Sequence, residues 1–268
     1  MSETVPEDRR TIVALGGGGF TMEPDNPALD DFVLSLSQAS EPRILFLPTA
    51  SGDPTGQINA FRARFGGRSD CAAAHLSLFN LHGSTRTLEE VVREHDVIYA
   101  GGGSMRNLLA IWRAHDLDRL LVEAWERGTV LAGISAGAMC WFEGGVTKSS
   151  GPPEPIAGLG VLPGSLSVHA DGEPERLPVW LDAVGRGALP GGWAADDGCA
   201  LLFRGRTFER AVSSRPGAAT LRIDAVEGEL VRQRIDAELL GARSPGAGTP
   251  SDDILELREV QRLRGGRR

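Results

Sequence analysis

The sequence predicts an α/β fold, in which a mostly parallel sheet with helices on both faces is followed by a C-terminal antiparallel extension. Over the first 145 residues, short apolar segments alternate with helical patterns, which is typical of parallel sheets. Three of these segments end in glycine-rich turns, at residues 16–19, 101–103 and 133–137. Because ligands of such sheets bind at the carboxyl ends of the strands, we expect the functional site on that rim.

The individual elements follow from apolar runs and from helix-like spacing of apolar side chains. Strands are predicted at residues 11–15, 43–48, 75–79, 96–100 and 129–133. Helices are predicted at residues 27–39, 54–65, 87–94, 107–112, 117–125 and 136–141. After a proline- and glycine-rich loop at 143–155, we expect a strand pair at 159–168 and a helix at 175–184, and then the short strands 193–203, 208–212, 219–223 and 229–235.

The composition divides the chain and limits its function. Residues 1–10 are expected to be a disordered leader, 11–240 a single α/β domain, and 241–268 a linker and tail with a short helix at 254–263. A net charge of −8 disfavours nucleic-acid binding, and the chain has no apolar run of 18 residues to enter a membrane. We expect a cytoplasmic monomer or homodimer.

Cysteine usage gives no sign of a metal centre. Cys71, Cys140 and Cys199 are odd in number and have no C-x-x-C spacing, which favours neither disulfides nor zinc. The first glycine turn also fails as a dinucleotide fingerprint, because Thr21 stands where a glycine or alanine is needed. No metal and no cofactor are therefore predicted.

Residues 133–137 (GISAG) fit the G-x-S-x-G pattern of a nucleophile elbow. In an elbow, a serine sits on a strained strand-to-helix turn and small residues on either side let the chain pass. Ser135 needs a base, and among five histidines His169 is favoured because it ends a predicted strand. The alternative, a loop histidine solvated by the acidic side chains that follow it, stays open at this point.

Four segments of the sequence together resemble those of a known family. They are residues 99–109 (YAGGGSMRNLL), 133–142 (GISAGAMCWF), 169–176 (HADGEPER) and 196–201 (DDGCAL). In this order they resemble the peptidase E family, whose relatives include cyanophycinase. The resemblance covers roughly residues 11–240 and implies a flavodoxin-like fold similar to that of class I glutamine amidotransferases.

The resemblance implies Ser135 as nucleophile and His169 as general base. Some family members place an aspartate fifteen residues after the serine, but Ser150 occupies that position here. Cyanophycinase-like relatives place the acid after the histidine, and the matching residue is Asp197. Asp196 is the second candidate for the acid, and Asp171 or Glu173 the third.

The other site residues come from the same motifs. The amide of Ala136 and an amide of the Gly102–Gly103 turn are the expected oxyanion donors. Asn107 and Arg176 are candidates for substrate binding, although Arg176 could instead form an ion pair with a neighbouring glutamate. Trp112 and Trp141 are expected to pack in the core.

These residues predict a serine peptidase that cleaves short peptides through an acyl-enzyme, with a preference for aspartyl residues implied by the resemblance. The alternatives are a catalytically silent protein that binds peptides or small ligands, and a cyanophycinase-like β-aspartyl peptidase. An amidotransferase would need cysteine at position 135. An α/β-hydrolase would place its acid before its histidine, so both are disfavoured.

Overall fold

The computed structural model describes residues 4–81, 85–226 and 229–241, and it contains two β-sheets with helices packed against them. The strands in chain order are β1 (Thr11–Leu15), β2 (Arg43–Leu47), β3 (Ala72–His75), β4 (Val97–Ala100), β5 (Val130–Ile134), β6 (Phe142–Thr147), β7 (Glu154–Ala157), β8 (Leu162–Ser167), β9 (Gly192–Ala195), β10 (Cys199–Arg204), β11 (Thr207–Ser213), β12 (Ala219–Val226), β13 (Glu229–Asp236) and β14 (Glu238–Leu239). The helices are α1 (Gly19–Met22), α2 (Ala28–Ser35), α3 (Thr55–Phe65), α4 (Leu88–Arg93), α5 (Met105–Ala114), α6 (Leu117–Glu126), α7 (Ala136–Met139) and α8 (Arg176–Gly185).

The larger sheet has eight strands in the order β14-β11-β10-β1-β5-β4-β2-β3. Along the run β1-β5-β4-β2-β3 each neighbouring pair is parallel. In contrast, β10 pairs antiparallel with β1, and β11 pairs antiparallel with β10. The carboxyl ends of β1, β5 and β4 therefore lie side by side on one edge. The predicted mostly parallel α/β fold is confirmed.

Apolar residues of the central strands explain the helices on both faces. Ile12 and Ala14 join one core cluster with residues of α5 and α6, whereas Val13 and Leu15 join a second cluster with residues of α2 and α3. Since successive side chains of a strand point to opposite faces, a fully apolar strand requires cover on both sides. All five residues of β1 are buried accordingly.

The second sheet has six strands in the order β13-β12-β9-β8-β6-β7, and β8 is parallel to both β6 and β9. Helix α8 packs on it, and Trp180 donates its indole N–H to Ser165 Oγ at 2.8 Å. The predicted antiparallel extension is thus divided between the sheets, because β10 and β11 complete the first and β12 and β13 complete the second. The prediction of a single strand at 193–203 is wrong, since β9 and β10 belong to different sheets.

The predicted loop at 143–155 is confined to residues 148–153, because β6 ends at Thr147 and β7 begins at Glu154. Glycine in this segment permits pairing rather than ending it: a Cβ on Gly145 would lie 2.6 Å from the Leu166 carbonyl oxygen of the adjacent strand. The predicted strand pair at 159–168 is one strand, β8, with Pro163 and Gly164 inside it where the register against β6 shifts. A register shift is one of the places where a sheet accepts proline.

Two other segments depart from the expectation. Strand β3 begins at Ala72 and ends at His75, so the prediction of 75–79 is shifted, because this edge strand is defined by backbone pairing with β2 and not by buried apolar side chains. The described part of the predicted disordered leader is ordered: residues 7–9 form a 3-10 turn, and the Val5 amide donates to the Glu126 carbonyl at 2.9 Å.

Two predictions concern C-terminal residues that the structure does not describe. The linker from residue 242 onward and the short helix at 254–263 are outside the described residues. None of the described helices is both long enough and apolar enough to cross a bilayer.

A buried carboxyl group on α2 makes stability depend on pH. Asp30 is fully buried, accepts the Phe20 amide at 3.2 Å and lies 3.1 Å from Arg64 Nε. Burial raises the pKa of Asp30 to about 7, although the Arg64 guanidinium works against the shift. Between its ordinary pKa of 3.8 and 7, the folded protein keeps a proton that the unfolded chain releases. We therefore expect the free energy of unfolding to fall as pH rises through this window.

Urea denaturation at pH 5 and pH 8 measures this contribution. The Asp30→Asn variant should lose it, so the difference in unfolding free energy between wild type and variant should change with pH. Asp25→Asn, on an exposed side chain, serves as the control and should follow the wild type. A wild type and an Asp30→Asn variant with parallel pH dependence would contradict the assignment.

Candidate active site

Ser135 lies on a strained turn between β5 and α7. Its backbone angles are φ 53° and ψ −114°, a conformation that side-chain-bearing residues seldom adopt. The glycines around it are required by packing: a Cβ on Gly133 would lie 2.0 Å from the Gly137 carbonyl oxygen, and one on Gly137 would lie 2.3 Å from that of Ala100. The GISAG segment therefore forms the predicted strand–turn–helix elbow. Helix α7 is shorter than predicted, because the chain enters β6 at Phe142.

Three predicted side chains form one chain of hydrogen bonds. His169 Nε2 is 3.0 Å from Ser135 Oγ, and His169 Nδ1 is 2.5 Å from Asp197 Oδ1. A carboxylate can only accept, so Nδ1 carries the proton and Nε2 is left to accept the serine hydroxyl. The side chains of His169 and Asp197 are mostly buried, with 12% and 19% exposed, which protects the chain of bonds from water. The imidazole can therefore take a proton from Ser135 while Asp197 holds its orientation.

The backbone at the end of β1 and in the first glycine turn contacts all three parts of this site. The amide of Ser135 donates to the Leu15 carbonyl at 3.1 Å, that of His169 to Gly16 at 3.3 Å, and that of Gly198, next to Asp197, to Gly17 at 3.1 Å. This turn was expected on the rim, but its residues were not among the predicted site residues. Its signal was the run of four glycines at residues 16–19, which shows that backbone or side chains approach closely.

Gly17 and Gly172 provide the space for the Asp197 carboxylate. A Cβ on Gly17 would lie 1.9 Å from Asp197 Oδ1, and a Cβ on Gly172 would lie 2.5 Å from Asp197 Oδ2. Neither residue belongs to the predicted site. Because a methyl group at either position overlaps an oxygen, both glycines constrain where the carboxylate can sit.

Gly17→Ala should displace Asp197 from His169 and lower kcat, by about 10²-fold if the shift approaches 1 Å. The steric overlap is with the acid and not with a substrate surface, so KM should change little. Gly56→Ala is the matched control, because Gly56 lies in α3 with open space around its Cβ position. Steady-state kinetics on both variants, with thermal melts to confirm folding, provide the measurement. A Gly17→Ala variant as active as Gly56→Ala would show that Asp197 does not need its observed position.

The predicted oxyanion donors lie beside the serine, but the two glycines differ. A Cβ on Gly102 would lie 3.4 Å from Ser135 Cβ, whereas one on Gly103 would lie 2.4 Å from the Ala50 carbonyl oxygen. Gly103, with φ 141°, is thus required where the turn packs on the segment 49–51. The backbone amides of Gly102, Gly103 and Ala136 form no hydrogen bond to an acceptor among the described residues. Their role as donors to a negative charge next to Ser135 Oγ stays a prediction.

The three alternative acids are engaged elsewhere. Asp196 accepts the Ala219 amide at 3.0 Å, and burial raises the pKa of its carboxyl. Asp171 accepts the Asp197 amide at 2.8 Å. Glu173 pairs with Arg176 at 2.8 Å and with Lys148 at 3.1 Å. Burial tends to raise the pKa of Glu173, but these two cations outweigh it and hold the pKa below its ordinary value.

The two candidate substrate-binding residues differ in burial and in hydrogen bonding. Arg176 is 5% exposed and donates to the Val146 carbonyl at 2.5 Å and to Glu173, which favours the local ion pair over a free cation for substrate. Asn107 is exposed on α5, and its backbone N–H donates to Ser104 Oγ at 3.1 Å. Its binding of substrate stays a prediction. Trp112 and Trp141 are fully buried, as expected of core residues.

Among the described residues, no three His, Cys, Asp or Glu side chains come together as a metal site would require.

Comparison with known proteins identifies the family. The model of peptidase family S51 matches residues 12–211, a range that contains Ser135, His169 and Asp197. The chain belongs to peptidase family S51. The S51 match confirms the resemblance to peptidase E, and the family is one of serine-type peptidases.

The sequence and structural relatives agree with S51 membership. The uncharacterized peptidase YgaJ of Bacillus subtilis (strain 168) is 47% identical over 232 residues, which span 87% of this chain and 100% of YgaJ. A crystal structure of a peptidase from an acI-B1 Actinobacterium superposes with a TM-score of 0.64 at 20% identity, covering 85% of this chain and 94% of that one. A crystal structure of a Listeria monocytogenes EGD-e protein described as a peptidase E protein gives a TM-score of 0.53 at 18% identity. The superposition covers 76% of this chain and 98% of the Listeria chain. At these identities the two structures support the fold alone.

Proposed function

We propose that this S51 member hydrolyses short peptides through an acyl-enzyme on Ser135, with His169 as general base and Asp197 as the residue that orients His169. The observation that carries the proposal is the continuous set of hydrogen bonds from Ser135 Oγ through the imidazole to Asp197, at 3.0 and 2.5 Å. Such an arrangement is recognised by geometry and roles rather than by position in the sequence.

The reaction follows from the geometry of these groups. Ser135 Oγ attacks the scissile carbonyl while His169 Nε2 takes its proton, and the amides of Gly102 and Ala136 meet the developing oxyanion. His169 then returns the proton to the leaving amine, and the acyl group stays on Ser135. A water molecule, deprotonated by the same nitrogen, releases the acid and restores the serine.

A preference for aspartyl residues is part of the proposal and comes from the resemblance to peptidase E. Three cations, Arg176, Lys148 and Arg215, are each paired with a carboxylate of the loop at 171–175. An acidic substrate that uses one of them has to compete with this carboxylate. Lys148 and Arg215 are the more exposed of the three and are better candidates than Arg176 for such an exchange.

A dipeptide panel tests the substrate class. It compares α-linked aspartyl, β-linked aspartyl–arginine and neutral N-terminal residues, with release of the free amine as the readout. Preferential turnover of α-aspartyl substrates supports the proposal, and preference for the β-linked substrate favours the cyanophycinase-like alternative. Equal turnover of neutral and acidic substrates would exclude aspartyl specificity.

The silent-binder alternative is separated by a fluorophosphonate probe, which reacts with activated serines. The support for this alternative was that Ser150 stands where some family members have the aspartate of the triad. The contact of Asp197 with His169 supplies a carboxylate from another loop instead. We expect the wild type to be labelled at Ser135. A wild type that binds peptides and stays unlabelled would favour the binding protein.

A further inference from the structure

Asp171 connects the two loops that carry the base and the acid. His169 lies in the loop after β8, and Asp197 lies in the turn between β9 and β10. Asp171 Oδ1 accepts the backbone N–H of Asp197 at 2.8 Å, and its other oxygen pairs with Arg215 Nη2. One carboxylate from the loop of His169 therefore holds the backbone of Asp197.

We propose that Asp171 is a positioning residue that sets the distance between His169 and Asp197 through its hydrogen bond to the Asp197 backbone N–H. The backbone N–H that Asp171 binds belongs to Asp197, whose carboxylate contacts His169. The hydrogen bond from Asp171 therefore acts on the same residue that orients the imidazole. This inference rests on the proposed function, since positioning matters for the reaction only if these residues perform it.

The loop around Asp171 is built to carry this role. His169 has a left-handed backbone, with φ 55°, and its carbonyl accepts the amides of Gly172 at 3.1 Å and Glu173 at 2.7 Å. This tight turn keeps Asp171 at a fixed offset from the imidazole. Gly172, the next residue, leaves the space that the Asp197 carboxylate occupies. Asp171 and Gly172 thus bracket Asp197, one through its N–H and the other beside its carboxylate.

Arg215 reaches Asp171 across the turn of the acid. It follows β11, and its stem lies over Gly198, where a Cβ would come within 3.0 Å of Arg215 Cγ. The preceding amide, of Ser214, donates to the Gly198 carbonyl at 2.9 Å. The side chains of Arg215 and Asp171 are each 42% exposed, so their pair adds little to overall stability. The hydrogen bond of Asp171 to the Asp197 N–H, and not the pair with Arg215, is therefore the contact that we expect to position the acid.

Two substitutions separate the hydrogen bond from the charge. Asp171→Asn keeps a side-chain oxygen that can accept the Asp197 N–H but removes the charge that pairs with Arg215, whereas Asp171→Ala removes both. We expect Asp171→Ala to lower kcat by about 10- to 100-fold with KM within about twofold of wild type. Asp171→Asn should retain activity within about threefold of wild type. Asp182→Ala is the matched control, because Asp182 is an exposed aspartate on α8 whose partner is Arg186 on the same stretch of chain, an i,i+4 pair.

A proton NMR measurement tests the same idea without relying on turnover. The short His169 Nδ1–H···Asp197 contact should give a low-field proton resonance in wild type, and Asp197→Asn should lose it. Asp171→Ala should shift or broaden this resonance, whereas Asp171→Asn and Asp182→Ala should keep it. If no peptide is hydrolysed by the wild type, the proposed function fails and the NMR comparison alone decides the positioning role.

Two results would overturn the proposal. One is an Asp171→Ala variant with wild-type kcat and an unchanged resonance. The other is an Asp171→Asn variant as impaired as Asp171→Ala, with both melting at a lower temperature than wild type, since that outcome shows a role in general stability.

Discussion

Ser135→Ala should lower kcat by about 10⁵- to 10⁶-fold, because the serine oxygen forms the covalent intermediate and no other described hydroxyl bonds to His169 Nε2. Removing it leaves only binding and the oxyanion donors, which accelerate the reaction far less. The measurement is dipeptide hydrolysis under single-turnover and steady-state conditions, together with fluorophosphonate labelling. Both signals should disappear in the variant.

The control for this substitution is Ser35→Ala, in an exposed position on α2. It should retain wild-type turnover and labelling. Thermal melts of Ser135→Ala confirm that the elbow still folds, since alanine must also accept φ 53° at that position. Residual labelling of a folded Ser135→Ala protein would place the reactive serine elsewhere and end the assignment.

Asp197→Asn should lower kcat by about 10⁴-fold while the fold is kept. Asparagine is close to aspartate in shape, so the loss comes from hydrogen bonding. Its amide group can donate to Nδ1, which moves the imidazole proton to Nε2 and leaves that nitrogen unable to accept the proton of Ser135. The measurement is kcat for the best dipeptide of the panel, and KM should stay near its wild-type value.

The neighbouring residue supplies the control. Asp196→Asn retains an oxygen to accept the Ala219 amide and lies outside the hydrogen bonds of His169, so its kcat should stay within a few-fold of wild type. If instead Asp196→Asn loses activity and Asp197→Asn does not, then the acid is Asp196, the second candidate from the sequence. This pair of adjacent substitutions tests the assignment within one turn.

Segments that are apolar enough to be buried on both faces could be predicted from the sequence. The bounds of β1 match the prediction because five consecutive apolar or small residues fit a strand covered on both faces. The elbow at Ser135 could likewise be predicted, since its glycines mark a turn with no room for side chains. Strands β6 and β7 were missed because their glycines and prolines, read locally, are turn residues, and their pairing depends on partners distant in the chain.

Within the candidate site, the limits are of the same kind. His169 and Asp197 were identified by motif, but their contact joins residues 28 positions apart on different loops. The commitment of Arg176 to Glu173 and Val146 follows from the burial of its guanidinium, which a sequence cannot display. The roles of Gly17 and Asp171 appear only when the loops after β1, β8 and β9 meet.

The sequence by itself determined the parallel α/β core, the strained serine turn and the residue types needed for nucleophilic chemistry. Those features follow from local preferences: the alternation of strands and helices, and the glycines that a tight turn demands. Only the tertiary structure decided which acid orients His169, which cations are already paired, and which glycines leave room for a carboxylate. Distances between side chains from separate loops depend on how the sheets bring those loops together, and no short stretch of sequence contains that information.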